Sequence, residues 1–230
     1  MWHWAAAASS LVIVIFLLVS RLRRRHPETH YDWGHIDLGD LSFPSGFLWG
    51  TATAAHQIEG GLTNNWSDFE EDRGLERSGA ACEHWTLWRD DFQLLSDLGV
   101  GSYRFSVEWS RLEPEPGSWD EGEMRVYSDM VDDLVSRGIR PMVTLHHFSH
   151  PTWWEERGGF ADRRNLPDFL SYCERVFDEL SDRVEYWCTI NEPTVFSAMG
   201  YTLGQFPPGK RGIRLTMRVM RNLMRGHAMV

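Results

Sequence analysis

Basic residues are few for the number of acidic ones: 23 lysines and arginines against 33 aspartates and glutamates in 230 residues, a formal net charge of −10. That balance, with no basic patch interleaved by aromatics, excludes a nucleic-acid surface. Cysteine is scarcer still. Cys82, Cys173 and Cys188 form no CxxC pair and are odd in number, so they read as buried free thiols in a reducing compartment. No G-x-G-x-x-G follows the first strand-like run, which removes support for dinucleotide binding. No H-E-x-x-H accompanies His146, His147 and His150, so no metal is expected there. Internal repeats and low-complexity tracts are absent too.

What is present is ordinary for a globular protein: 42% apolar and 24% charged residues, enough chain for one sizeable core or two small domains. Twelve tryptophans is high for this length. They serve either as core filler or as platforms for sugar rings.

The N-terminus stands apart. "MWHWAAAASSLVIVIFLLVS" precedes "RLRRR", the reverse of a cleavable signal peptide, which carries its charges first. The run suggests a single-pass membrane anchor through residues 2–20, with Trp2 and Trp4 at one interface and Arg21, Arg23, Arg24 and Arg25 at the other. The arginines then place the globular part on the cytoplasmic side. The alternative is a misassigned start and a soluble cytoplasmic protein. We divide the chain into an anchor and basic flank, 1–30, and a globular remainder, 31–230. Removing 1–30 takes away four arginines and one glutamate, leaving the remainder near −13.

From residue 41 the pattern alternates. Strand-like runs at 47–55, 102–109, 140–148 and 185–191 are separated by helical patterns at 82–99, 121–138 and 168–184, with a last helix from near Arg214. Such alternation predicts parallel strands covered by helices, and the apolar second to fourth runs predict burial on both faces. An open doubly wound sheet also satisfies the pattern. Polar residues gather where the strands end: His56, Gln57 and Glu59; Glu108; His146 and His147; Asn191 and Glu192. In a parallel barrel those ends converge on one mouth. Read alone, Glu192 is equally a solvated turn residue, with Pro193 ending the ladder.

"FPSGFLWGTATAAHQIEG", "NNWSDFE", "YRFSVEWSRLEP", "VTLHHFSHPTWW", "GGF", "TINEP" and "GYTLGQFPPG" occur in this order. Together they resemble glycoside hydrolase family 1, the retaining β-glucosidases and their relatives, over roughly residues 41–230. The resemblance implies a (β/α)8 TIM barrel, truncated to about its first four βα units, and O-glycosyl hydrolysis without a cofactor. It implies that Glu192 is the general acid/base, that Asn191 holds the sugar 2-hydroxyl, and that Gln57 and His147 bind other hydroxyls. Arg104 would lie beside the nucleophile. A carboxylic acid and neutral hydrogen-bonding groups suit that chemistry. Glu108 reads as structural, pairing with an arginine; Trp153 and Trp154 are sugar platforms or rim packing.

The family draws its nucleophile from a Glu-Asn-Gly stretch that this sequence lacks. The expectation is therefore a half-barrel inactive alone, with open strand edges, poor solubility and a complementing C-terminal half-barrel as partner. Its substrate would be a β-linked glycoside or oligosaccharide. A non-catalytic, membrane-tethered sugar-binding or scaffold protein is the alternative, and another sugar-cleaving barrel family a third.

Overall fold

The computed structural model describes residues 2–27, 39 and 42–230, with side chains from residue 11 onward. The chain forms two compact units, Met1–Phe47 and Leu48–Val230. The first contains helix α1, Trp2–Arg25, whose strongly apolar stretch runs only from Leu11 to Val19. Nine residues rise about 13 Å, well short of a hydrocarbon layer of about 30 Å. Among the described residues no helix is long and apolar enough to cross a membrane, so the expected anchor finds no support there. The side chains of Trp2 and Trp4, and the boundary at residues 30 and 31, lie outside the described residues.

The second unit is a four-stranded parallel sheet in the order β1 (Gly50–Ala52), β2 (Ser102–Ser106), β3 (Arg140–His146), β4 (Tyr186–Ile190). The register pairs Ala52 with Arg104, Arg104 with Met142, and Met142 with Tyr186. Helices α2 (Ala55–Ile58), α3 (Asn65–Arg73) and α4 (His84–Leu98) separate β1 from β2. Helices α5 (Trp109–Leu112) and α6 (Glu121–Ser136) separate β2 from β3, and α7 (Thr152–Glu156) and α8 (Leu166–Leu180) separate β3 from β4. After β4 come α9 (Pro193–Ala198), a π-turn at Met199–Leu203, and α10 (Ile213–Met229). The alternation predicted from sequence is therefore present, with four βα units of a barrel.

The core lies between the sheet and the long helices. Phe105, Val143 and Leu145 meet Trp88 and Phe92 of α4, Tyr127, Val131 and Leu134 of α6, and Phe169, Tyr172 and Val176 of α8 in one buried cluster. Helical periodicity places these side chains on one face of each helix. The opposite sheet face differs from expectation. Arg104, Met142 and Cys188 are only half-buried and Tyr186 is exposed, whereas Ser106, Thr144 and His146 nearer the strand ends are buried. The strand edges are open as expected: among the described residues β1 pairs only with β2, and β4 only with β3. The first strand is shorter than the run 47–55 suggested, since the chain turns into α2 at Ala55, whose N–H donates to Ser106 Oγ at 2.8 Å. Of the cysteines only Cys173 is buried; Cys82 is exposed, correcting that expectation.

Candidate active site

The C-terminal ends of the strands carry the candidate residues. Arg104 extends from β2 across its neighbours. Its Nε donates to Thr144 Oγ1 of β3 at 2.8 Å, and its Nη2 donates to Asn191 Oδ1 at 2.6 Å, just beyond β4. The Asn191 N–H donates to the His146 carbonyl at 2.9 Å, carrying the β3–β4 ladder one residue further. Asn191 is thus fixed at backbone and side chain, and with Oδ1 engaged its Nδ2 is the group left to bind something else.

Glu192 follows in the left-handed region, φ 41° and ψ 61°. A residue with a Cβ is held there at a cost of about 1 kcal/mol. Its carbonyl accepts the Phe196 N–H at 3.0 Å, and Pro193 fills the first position of α9, where a missing N–H is harmless. Pro193 therefore opens a helix as well as ending a strand. The Glu192 side chain is exposed.

His147 is half-buried, and its Nδ1 lies buried without a partner. Burial, then the nearby Arg104 charge, pushes its pKa down to about 4, so the imidazole is neutral at pH 7. Gln57 sits on α2, exposed, and its amide makes no hydrogen bond among the described residues. The structure thus joins Arg104 to Asn191 directly and sets His147 within the field of Arg104. Gln57 and Glu192 stand at the same edge of the sheet without bonding to them.

Other strand-end residues have structural work. His56 Nε2 meets Glu70 Oε1 at 3.1 Å and Ser78 Oγ at 3.0 Å, linking α2 to α3. Glu108 caps α5: its Oε1 accepts the Ser110 Oγ–H at 2.7 Å and its Oε2 the Ser149 Oγ–H at 2.5 Å. It pairs with no arginine, contrary to expectation. Glu59 takes that part, accepting from Arg111 Nε at 3.1 Å and from the Tyr127 hydroxyl at 2.6 Å. Gly60 beside it must be glycine, since at φ +78° a Cβ would strike the Ala80 carbonyl.

His146 Nε2 and His150 Nδ1 are 3.2 Å apart, and His150 Nε2 meets Glu155 Oε2 at 3.0 Å. No group of three His, Cys, Asp or Glu among the described residues has metal-holding geometry. Trp154 is fully buried in the core, and Trp153, partly buried against that core, donates Nε1–H to the Glu113 carbonyl at 2.9 Å.

Sequence reasoning missed the clamp made by Asn65. Its Nδ2 donates to the Phe148 carbonyl at 3.1 Å, and its Oδ1 accepts the His150 N–H at 2.9 Å. It fixes the loop after His147. Its place in "NNWSDFE" was the one available signal.

A family model described as Glycosyl hydrolase family 1 matches residues 40–230. The chain belongs to glycosyl hydrolase family 1. It is 37% identical to beta-glucosidase A of Thermotoga maritima over 197 residues, which is 81% of this chain and 44% of the relative. It is 38% identical to the cytosolic beta-glucosidase of Homo sapiens, over 74% of this chain and 39% of that protein. Among solved structures, a beta-glycosidase from Pyrococcus horikoshii superposes with a TM-score of 0.78 at 45% identity, covering 81% of this chain and 44% of that one. The Thermotoga maritima beta-glucosidase in complex with deoxynojirimycin gives 0.79 at 36% identity, with 81% and 45% covered. The chain thus spans less than half the length of these family 1 relatives. Its four βα units are those of an N-terminal portion of the family's TIM barrel.

Proposed function

We propose that this chain supplies the acid/base side of a retaining β-glycosidase site acting on a β-linked glycoside or oligosaccharide. Glu192 protonates the glycosidic oxygen and later activates water. Asn191 donates to the sugar 2-hydroxyl, a contact that strengthens as oxocarbenium character grows. Gln57 and neutral His147 bind other hydroxyls without adding charge, and Arg104 holds Asn191 while lying beside the place of the nucleophile. The observation that carries this reading is the 2.6 Å Arg104–Asn191 bond beside a carboxylate exposed at the strand end. No cofactor is needed.

A retaining mechanism uses a second carboxylate about 5–5.5 Å from the first. We assign it to a complementing C-terminal half-barrel, which would also cover Met142, Cys188 and Tyr186 and pair with the free edges of β1 and β4. Hydrolysis by residues 1–230 alone is not expected.

The test measures turnover of an aryl β-glucoside by the chain alone and with the C-terminal part of the Thermotoga maritima beta-glucosidase supplied in trans. No turnover alone, and turnover in the mixture abolished by Glu192→Gln, supports the proposal. Turnover by the chain alone, or turnover in the mixture that survives Glu192→Gln, refutes it. Titration with deoxynojirimycin checks the subsite separately: binding should weaken in Asn191→Ala.

A further inference from the structure

A groove of about 490 Å³ lies between the turn at 161–164 and helix α10, and its lining is overwhelmingly basic. Arg218, Arg221 and Arg225 recur every three or four residues and so share one exposed face of α10. Arg163 and Arg164 face them from the turn, both exposed. One acid, Asp162, is present, and it is already engaged: Arg164 Nε lies 3.1 and 2.9 Å from its two carboxylate oxygens. Hydrogen bonds from Arg164 hold the Asp162 carboxyl down to about 2, so it stays ionised and occupied. Among the described residues Arg163, Arg218, Arg221 and Arg225 make no ion pair, although the charge of Arg218 also helps to hold the Asp162 carboxyl down. Elsewhere in the globular unit, Arg77, Arg111, Arg137, Arg157, Arg175 and Arg183 each meet a carboxylate.

Four unpaired guanidinium groups in one groove repel each other, on a chain whose net charge is −10. Folding does not require them, because α10 is held by its other side, through Thr216, Val219, Leu223 and Gly226. Asn222, buried on that side, donates Nδ2–H to the Phe160 carbonyl at 2.8 Å. That bond ties α10 to the turn and so fixes the two sets of arginines against each other.

We propose that this groove is a binding site for an oligophosphate. Arg218 to Arg225 spans about 10 Å of helix, a row of planar forks matched to a row of adjacent phosphate groups. The lining contains no aromatic ring on which a base could stack, which disfavours single-stranded nucleic acid. Ala161 is its only apolar side chain, which disfavours a lipid surface. None of Gln57, Arg104, His147, Asn191 or Glu192 lines the groove, so the inference stands apart from the sugar-site reading.

The experiment is calorimetric titration of the 230-residue chain with sodium tripolyphosphate at about 0.15 M salt, near physiological ionic strength. One saturable site is expected, with orthophosphate binding at least about tenfold more weakly. The double variant Arg218→Gln/Arg221→Gln should lose at least about tenfold in affinity, while Arg125→Gln, an exposed arginine of α6, should stay within about twofold. Circular dichroism checks that the double variant keeps its helices. ATP binding about as tightly as tripolyphosphate, or more weakly, identifies free oligophosphate as the source; tighter ATP binding identifies a nucleotide. Absence of a saturable site, equal loss in the Arg125 control, or tighter binding of a single-stranded oligonucleotide or an acidic peptide would overturn the proposal.

Discussion

Replacing Tyr127 with phenylalanine removes one oxygen from the centre of the fold. Tyr127 is fully buried on α6, its hydroxyl donating to Glu59 Oε1 at 2.6 Å and accepting the Glu108 N–H at 3.0 Å. Both partners are themselves buried, Glu59 at 4% exposure and Glu108 at 1%. Phenylalanine keeps the ring and its edge contact with Trp85, centroids 5.0 Å apart, so no sizeable cavity opens. The loss is polar. A buried backbone N–H is left without an acceptor, at about 1–3 kcal/mol, and a carboxyl group loses one of its two side-chain donors. Arg111 remains to Glu59 and softens the second loss. The expected destabilisation is about 2–4 kcal/mol, a large fraction of a typical 5–15 kcal/mol. Urea unfolding followed by tryptophan fluorescence should show the midpoint falling by about 1–2 M at unchanged slope, taking a slope near 2 kcal/mol/M. The chain should be measured at several concentrations, because its open edges invite association. A loss below about 0.5 kcal/mol would mean that water or backbone relaxation replaces the hydroxyl, and the network would not be structural in the sense argued.

Three further outcomes follow from the same geometry. Two groups give opposite pH slopes in one window. His147, pushed down to about 4 by burial and Arg104, leaves stability intact above pH 6.5; as pH falls towards 4 only the unfolded chain takes up the proton, and stability is lost. Glu59, pushed up to about 7 mainly by burial, contributes fully below about 4.5 and loses its contribution as pH rises through 7. The wild-type profile between pH 4.5 and 7 is therefore shallow. His147→Gln should become relatively more stable towards acid and Glu59→Gln relatively less; parallel profiles for all three proteins would refute the assignment. Asn65→Ala breaks both bonds to the 148–150 loop and should cost about 1–3 kcal/mol, with faster amide exchange at His150; unchanged exchange there would count against the clamp. Glu192→Gly should stabilise the chain by up to about 1 kcal/mol by relieving φ 41°, read as a higher urea midpoint; a clear loss would show that the Glu192 side chain contributes to the fold.

The long elements were legible because each carries one strong periodicity. The pattern at 82–99 became α4 at His84–Leu98, and that at 121–138 became α6 at Glu121–Ser136, each with its apolar stripe on the sheet. Short elements were not. α3, "NWSDFEEDR", has too few apolar side chains for a period to register, although the capping box between Asn64 and Ser67 marks its start. α2, α5, α7 and α9 are shorter than two turns, so no period can be read from them. Within the site, residue types were legible and bonds were not. Nothing local to Arg104 shows that it will meet Asn191, 87 positions later, because that contact exists only once three strands are in register. The same holds for Glu59, whose partners Arg111 and Tyr127 lie on α5 and α6. Its arginine was expected at Glu108 because both glutamates end strand-like runs, and only packing distinguishes them.

Backbone strain adds something that residue types alone do not. Among the described residues four non-glycine residues have positive φ: Ala81, Glu83, Phe148 and Glu192. The first two shape the turn entering α4. The other two follow the ends of β3 and β4, one beside His147 and the other the carboxylate itself. Glycine or asparagine would satisfy either position at less cost. Phe148 has a packing reason, since its ring lies 6.2 Å from Phe196 and 5.8 Å from Phe206, and its carbonyl is held by Asn65. Glu192 has no such reason: its side chain is exposed, and only its backbone is held, by the Asn191–His146 bond on one side and α9 on the other. A side chain that contributes no packing, kept where its backbone is disfavoured, is better explained by chemistry than by stability. That strain supports the role proposed for Glu192 in the site rather than in the fold.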